Sequence, residues 1–237
     1  MKLVELTCYS FNSKKMARPF RPFDLSLTLG DVVSISTDSA DDALLFLKAL
    51  ATLTHPLKGE YRYKQNVLDF SSYKKLLDVK KNIGFITSHA ALISNRTVRE
   101  NLLLMRAYYT NSLTYELDER TQELCRLFSL EERLELRPAA LAGHDYRSVV
   151  TVRELIKKPE IMLLEYPEKF VGISNLEVFN DILFDLMGGE VCIVFLSEYQ
   201  HFIETFSKRE LVISKGTVQE VTEGFEGSRG IEGSKGG

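Results

Sequence analysis

The sequence predicts an α/β domain: a mixed β-sheet core, an antiparallel β subdomain at the front and an α-helical insertion subdomain. Three observations carry this reading. Strands alternate with helices along most of the chain, the order that builds a sheet covered by helices. Two strands, Val32–Ser36 and Ile161–Glu165, are apolar on both faces, as a sheet buried on both sides requires. From about Val98 to Leu136 the apolar spacing becomes helical with no strand between, which marks the insertion.

The elements follow in order. Val4–Phe11 and Phe23–Leu29 are rich in β-formers and read as a hairpin around a basic loop over residues 14–19. Val32–Ser36 is the first buried strand. Ser39 followed three residues later by Asp42 resembles a capping box, and Ala43, Leu44, Leu47, Leu50 and Ala51 then repeat at helical spacing. Pro56 is expected to stop that helix. Short strands are predicted at Tyr61–Tyr63, Val67–Phe70 and Ile83–Ile86. Helices follow at Val98–Met105, Leu117–Phe128 and Tyr146–Lys157. The strand Ile161–Glu165, the helix Leu176–Met187, the strand Val191–Leu196 and the helix Tyr199–Phe206 come next, and a final pair, Glu210–Ser214 and Thr217–Glu220, completes the order. The helical insertion lies near 94–140 and extends as a subdomain over about 94–158. Residues 1–221 form the domain. Six of the chain's 14 glycines fall in its last 14 residues, so 222–237 is expected to be a disordered Gly/Ser-rich tail.

Composition excludes several classes of function. A net charge of −3 over 237 residues supplies no electrostatic case for nucleic acid or for a polybasic membrane anchor. The longest apolar runs, such as Val191–Leu196, are far too short to span a bilayer, so direct membrane insertion is not expected. The N-terminus carries an early acid and no small-residue cleavage site, which argues against a signal peptide. Cys8, Cys125 and Cys192 are widely spaced, an arrangement that fits reduced thiols in a cytoplasmic protein. His55, His89, His144 and His201 are equally scattered, and no metal site is predicted.

The junction between Val32–Ser36 and the helix after it is the most informative place in the chain. A loop that cradles phosphate there has the form G-x-x-x-x-G-K-[ST]: glycines let backbone amides approach, lysine reaches the outer phosphates and the hydroxyl holds Mg²⁺. Those four positions are Thr37, Asp42, Ala43 and Leu44, and none has the required chemistry. Asp38, Asp41 and Asp42 instead bring carboxylates to a helix N-terminus, where the helix dipole favours them and a phosphate would meet like charge. Without glycines the loop is expected to collapse into an ordinary helix start.

The connective residues nevertheless keep a recognisable spacing. They run Gly30-Asp31, Leu50-Ala51, Pro56 and Gly59-Glu60; then Ile83-Gly84-Phe85-Ile86, Ala91-Leu92 and Thr97-Val98-Arg99-Glu100-Asn101; then Arg137-Pro138-Ala139-Ala140-Leu141-Ala142-Gly143; and last Lys157-Lys158-Pro159-Glu160-Ile161-Met162-Leu163-Leu164 with Pro167. In order and separation, over residues 1 to about 221, the chain resembles the nucleotide-binding (ATPase) subunit of ABC transporters, a P-loop NTPase-type fold. The resemblance implies functional positions, and each is occupied by an unsuitable residue. The Q-loop glutamine falls on Ser88, beside His89. The Walker B aspartate falls on Glu165 and the catalytic glutamate on Tyr166, a phenol that is a poor base at neutral pH. The switch histidine falls on Ser197. The signature is reduced to Ala142, Gly143 and His144, between Leu141 and Asp145. The D-loop aspartate is missing near Gly172 or Ser174.

The resemblance with these losses implies a catalytically inactive ABC ATPase-like subunit, a pseudo-ATPase with a structural or regulatory role in a membrane transport complex. No cofactor is then expected. The expected partners are a multi-span membrane permease and a second ABC ATPase-like subunit, itself or a paralogue, at the cytoplasmic face of the membrane. Arg96, Arg99, Met105, Arg106, Tyr108 and Tyr109 are candidates for the permease contact, or else the solvated face of an ordinary amphipathic helix. One alternative is a divergent ATPase in which Glu165 binds Mg²⁺ and ATP sits on a rebuilt loop. Another is a soluble protein-binding adaptor.

Overall fold

The computed structural model describes residues 2–12, 19–110 and 116–221, apart from the side chains of residues 109, 110 and 173. The basic loop, save Pro19, and the glycine-rich tail lie outside the described residues.

Two sheets organise the chain. The first is antiparallel, in the order β2-β1-β4-β5, built from β1 (Lys2–Phe11), β2 (Phe23–Thr28), β4 (Pro56–Tyr63) and β5 (Asn66–Val67). The second has six strands in the order β10-β9-β3-β8-β7-β6: β3 (Val32–Thr37), β6 (Ile83–Ile86), β7 (Ile161–Glu165), β8 (Cys192–Leu196), β9 (Arg209–Ser214) and β10 (Thr217–Glu220). All of its pairings are parallel except β9–β10.

Period-two alternation divides the parallel strands between two cores. Val33, Ile35, Ile161, Leu163, Cys192, Val194 and Leu196 face α1 (Ala40–Leu50) and the antiparallel sheet. Val32, Ile86, Met162, Leu164, Ile193 and Phe195 face the helices of the other side. Those helices are α3 (Val98–Thr110), α4 (Glu119–Leu127) and α5 (Gly143–Leu155), with α7 (Ile173–Gly188) and α8 (Gln200–Phe206) beyond them. A short α2 (Leu77–Lys80) precedes β6, and α6 (Pro167–Val171) follows β7.

Local chemistry fixes the insertion. Thr97 and Glu100 form a reciprocal capping box at the start of α3, with Glu100 N–H donating to Thr97 Oγ1 (3.2 Å) and Thr97 N–H to Glu100 Oε2 (2.7 Å). Fully buried Asn101 ties down the loop before the helix: its Oδ1 accepts from Ile93 N–H at 2.7 Å, and its amide donates to the Ile93 and Thr97 carbonyls. Asp118 caps α4 by accepting from Thr121 N–H at 2.8 Å.

Several sequence expectations need correction. The strand expected over Val67–Phe70 is Asn66–Val67; Leu68 N–H still donates to Tyr61 O at 2.8 Å, and Leu68 and Phe70 lean on the core. Pro56 does not end the preceding helix. That helix ends at Leu50, and Pro56 opens β4, whose eight residues extend well before Tyr61. The helix expected from Tyr146 starts at Gly143, and the one expected from Leu176 starts at Ile173. Helix α6 went unread because five residues are too few to show a period.

Candidate functional site

The end of β3 comes first. Helix α1 begins at Ala40 with Ser39 as an extended N-cap (φ −143°, ψ 105°), the ordinary helix start that the missing glycines imply. Ser39 receives both available amides: Asp42 N–H donates to Ser39 O (3.1 Å) and to Ser39 Oγ (3.3 Å), and Ala43 N–H donates to Ser39 O (3.1 Å). Ser39 N–H in turn donates to Thr37 Oγ1 at 3.0 Å, while the Thr37 hydroxyl donates to Ile213 O at 2.8 Å. Of the amides a phosphate cradle would turn outward, those of Ser39, Asp42 and Ala43 are occupied within the protein.

Beside this turn lies a cleft of about 430 Å³ lined by residues of β3, β8 and their loops, among them Thr37, Asp38, Tyr166, Ser197, Glu198 and Glu210. Three of its lining residues are carboxylates and none is a lysine or arginine. Asp38 accepts from Ser214 Oγ at 2.6 Å. Asp42 points inward and is buried; burial first, then the charges of Asp38 and Asp41, push its carboxyl above the usual range, against a lowering hydrogen bond with Ser39. Ala43 and Leu44 do not reach the cleft. Ala43 is wholly buried against the core, and Leu44 lines a separate groove on the far side of α1. The cleft lining thus brings three carboxylates and no lysine or arginine to the turn after β3.

The end of β7 is organised around Glu165. Its Oε2 accepts from Thr87 Oγ1, from Ser88 N–H (2.8 Å) and from Ser88 Oγ (3.0 Å), fastening the loop after β6 to β7. Ser88 Oγ also lies 3.0 Å from His89 Nδ1. Tyr166 adopts a left-handed conformation (φ 46°, ψ 58°) that turns the chain from β7 into α6. Lys169 Nζ sits 4.5 Å above the Tyr166 ring and donates to Glu198 at 2.5 Å. Burial, then the neighbouring Glu198 charge, raises the Tyr166 phenol further from neutrality, with Lys169 opposing. Tyr166 is therefore less ready to give up its proton than an ordinary phenol. Ser197 Oγ accepts from Tyr199 N–H at 3.0 Å in the turn that precedes α8.

The signature region opens α5. Ala142 is its N-cap residue and supplies no side-chain bond. Gly143 and exposed His144 follow, and Asp145 is held by Arg133 at 2.8 Å and lies 3.3 Å from His144. Gly172, with φ 77°, joins α6 to α7.

The structure thus groups Thr37, Tyr166 and Ser197 around one cleft and Ser88, Glu165, Tyr166 and Gly143 around another, and it leaves Asp42, Ala43 and Leu44 outside both. Thr87, Lys169 and Glu198 were given no role from sequence. Thr87 stands next to a flagged serine, but its partner is 78 residues away, and nothing in one sequence signals that pairing.

A mainly parallel sheet entered through a strand–turn–helix, with an antiparallel sheet in front and a helical insertion between β6 and β7, defines an ATP-binding-cassette fold. Residues 45–168 match the ABC transporter family, and the chain belongs to it. It is 28% identical over 164 residues to the lipoprotein-releasing system ATP-binding protein LolD of Bacteroides thetaiotaomicron, covering 69% of this chain and 75% of that protein. It is 24% identical over 209 residues to the ABC transporter ATP-binding protein NatA of Bacillus subtilis, covering 87% and 82%. Among solved structures, a dimeric ATP-binding cassette in a post-hydrolysis state with ADP and Pi superposes with a TM-score of 0.78 at 20% identity, covering 94% of this chain and 100% of that one.

Proposed function

We propose that this chain is a pseudo-ATPase: an ABC transporter subunit that keeps the cassette scaffold, does not hydrolyse ATP and serves a structural or regulatory role in a transport complex. One observation carries the reading. At the end of β3 the amides of Ser39, Asp42 and Ala43 are bonded within the protein, and the adjoining cleft holds carboxylates and no cation. Like charge without lysine or an amide cradle opposes a bound triphosphate. At the base position stands Tyr166, a phenol held neutral.

The relatives' names attach to lipoprotein release in one case and methionine import in another, so no cargo follows for this chain. A multi-span permease and a second cassette subunit remain the proposed partners, at the cytoplasmic membrane face; among the described residues no helix is long and apolar enough to cross a membrane. In the turn before α3 and on that helix, Arg96 pairs with Glu100 and Arg99 with Glu135, both at 2.7 Å, and Arg106 lies 3.8 Å from Asp118. That charge compensation shifts the proposed permease contact towards the apolar groove beside α1, where Leu53 and Leu57 are about half exposed and His89 contributes from the neighbouring loop.

Phosphate release by the purified chain, alone and with its co-purifying partners, tests the proposal. Turnover no faster than a protein-free blank is expected. A second reading, a divergent ATP-binding subunit, rests on Glu165 standing at the end of β7; turnover that disappears in Glu165→Ala would favour it.

A further inference from the structure

A second cleft, of about 470 Å³, opens where the loop after β6, the end of β7 and the first turn of α5 meet. That volume lies in the range of small-molecule sites. Ala90, Tyr146, Tyr166 and Phe170 give it apolar and aromatic walls, and Ser88, Glu165, Lys169 and Arg147 supply the polar groups.

The two cations differ. Lys169 is engaged by Glu198 and lies over the Tyr166 ring. Arg147 is not matched in this way: its Nε is buried and has no hydrogen-bond partner among the described residues. Two glycines border its guanidinium at ordinary contact distance. A Cβ at Gly143 would stand 3.6 Å from Nη1, and one at Gly172 would stand 4.0 Å from Nη2. The enclosed Nε leaves the guanidinium short of one acceptor, and because Arg147 lines the cleft, an anion held there would offset that cost electrostatically.

The nearest carboxylate in the wall does not fill that need. Glu165 Oε2 is taken by Thr87 and Ser88. Glu165 does, however, disfavour a multiply charged anion beside it. A planar, singly charged carboxylate matches the guanidinium fork and tolerates Glu165 better than phosphate would. The aromatic walls favour an apolar body behind it.

We infer that this cleft binds a small organic monocarboxylate, with the carboxylate on Arg147 and an aryl or alkyl body against Tyr146, Tyr166 and Phe170. The site adjoins the β3 cleft through Tyr166, which lines both.

The test titrates benzoate into the full-length chain by calorimetry, with benzamide as the neutral isostere. Benzoate is expected to bind saturably with a dissociation constant below about 10 mM, and benzamide roughly tenfold or more weakly. Arg147→Met, which keeps the apolar stem, is expected to weaken benzoate by a similar factor, and Arg147→Lys to restore part of it. Absence of saturable benzoate binding, or equal affinity for benzoate and benzamide, would overturn the inference. The benzamide comparison uses the unaltered chain and decides the matter even if Arg147→Met fails to fold.

Discussion

At the scale of single residues, Glu165 and Asp42 show how charge is handled once nucleotide chemistry is set aside. Glu165 holds a loop in place through three bonds to one oxygen. Glu165→Gln should lower stability by about 1–3 kcal/mol, the scale for disturbing buried charge-assisted bonds, measured by urea unfolding. Unchanged stability would mean that the carboxylate is kept for something other than this clasp. Asp42 works in the opposite direction. Its folded-state pKa lies above the unfolded value, so between those two values the native state binds more protons than the unfolded state. This contribution to stability accordingly falls as pH rises through that window. Asp42→Asn should raise the melting temperature at pH 7, and the gain should vanish below the ordinary aspartate pKa near ~3.9. A thermal-melt series from pH 3 to pH 8 measures both.

At the scale of elements, the start of α1 was legible because capping is local: Ser39 and Asp42 lie within one turn, and the hydroxyl and amide meet as the spacing implies. Ser39→Ala should cost about 0.5–2 kcal/mol, as loss of an N-cap does; circular-dichroism melts read it directly. The double-faced strands were legible for a similar reason, since burial on both sides leaves no polar residue to hide the run. Less could be read where two distant segments decide the outcome. Phe70 carries the apolar content of a strand yet packs on the core beyond the paired residues. The Thr87–Glu165 bond and the placing of Lys169 between Tyr166 and Glu198 join residues that no local pattern connects. Positions were therefore readable where the family's spacing marks them, while their present partners were not.

At the scale of the whole molecule, the cassette rests mainly on two apolar cores flanking the parallel sheet. Of the family's nucleotide positions, Ala43 is a small buried member of one core and Tyr166 packs against it. A scaffold of this kind can pass conformational information or occupy a place in an assembly through its surfaces. Leu53 and Leu57 are the exposed apolar residues beside α1. Leu53→Asp with Leu57→Asp should leave stability within about 0.5 kcal/mol per substitution and abolish co-purification with a multi-span membrane protein. Retained co-purification would move the contact elsewhere.

The central claim is that the turn after β3 no longer accepts a triphosphate, and equilibrium calorimetry of ATP binding with and without Mg²⁺ tests it most directly. The account predicts no saturable heat and no thermal stabilisation up to millimolar nucleotide. Saturable binding at micromolar affinity would contradict it and return Glu165 to the centre of a nucleotide site.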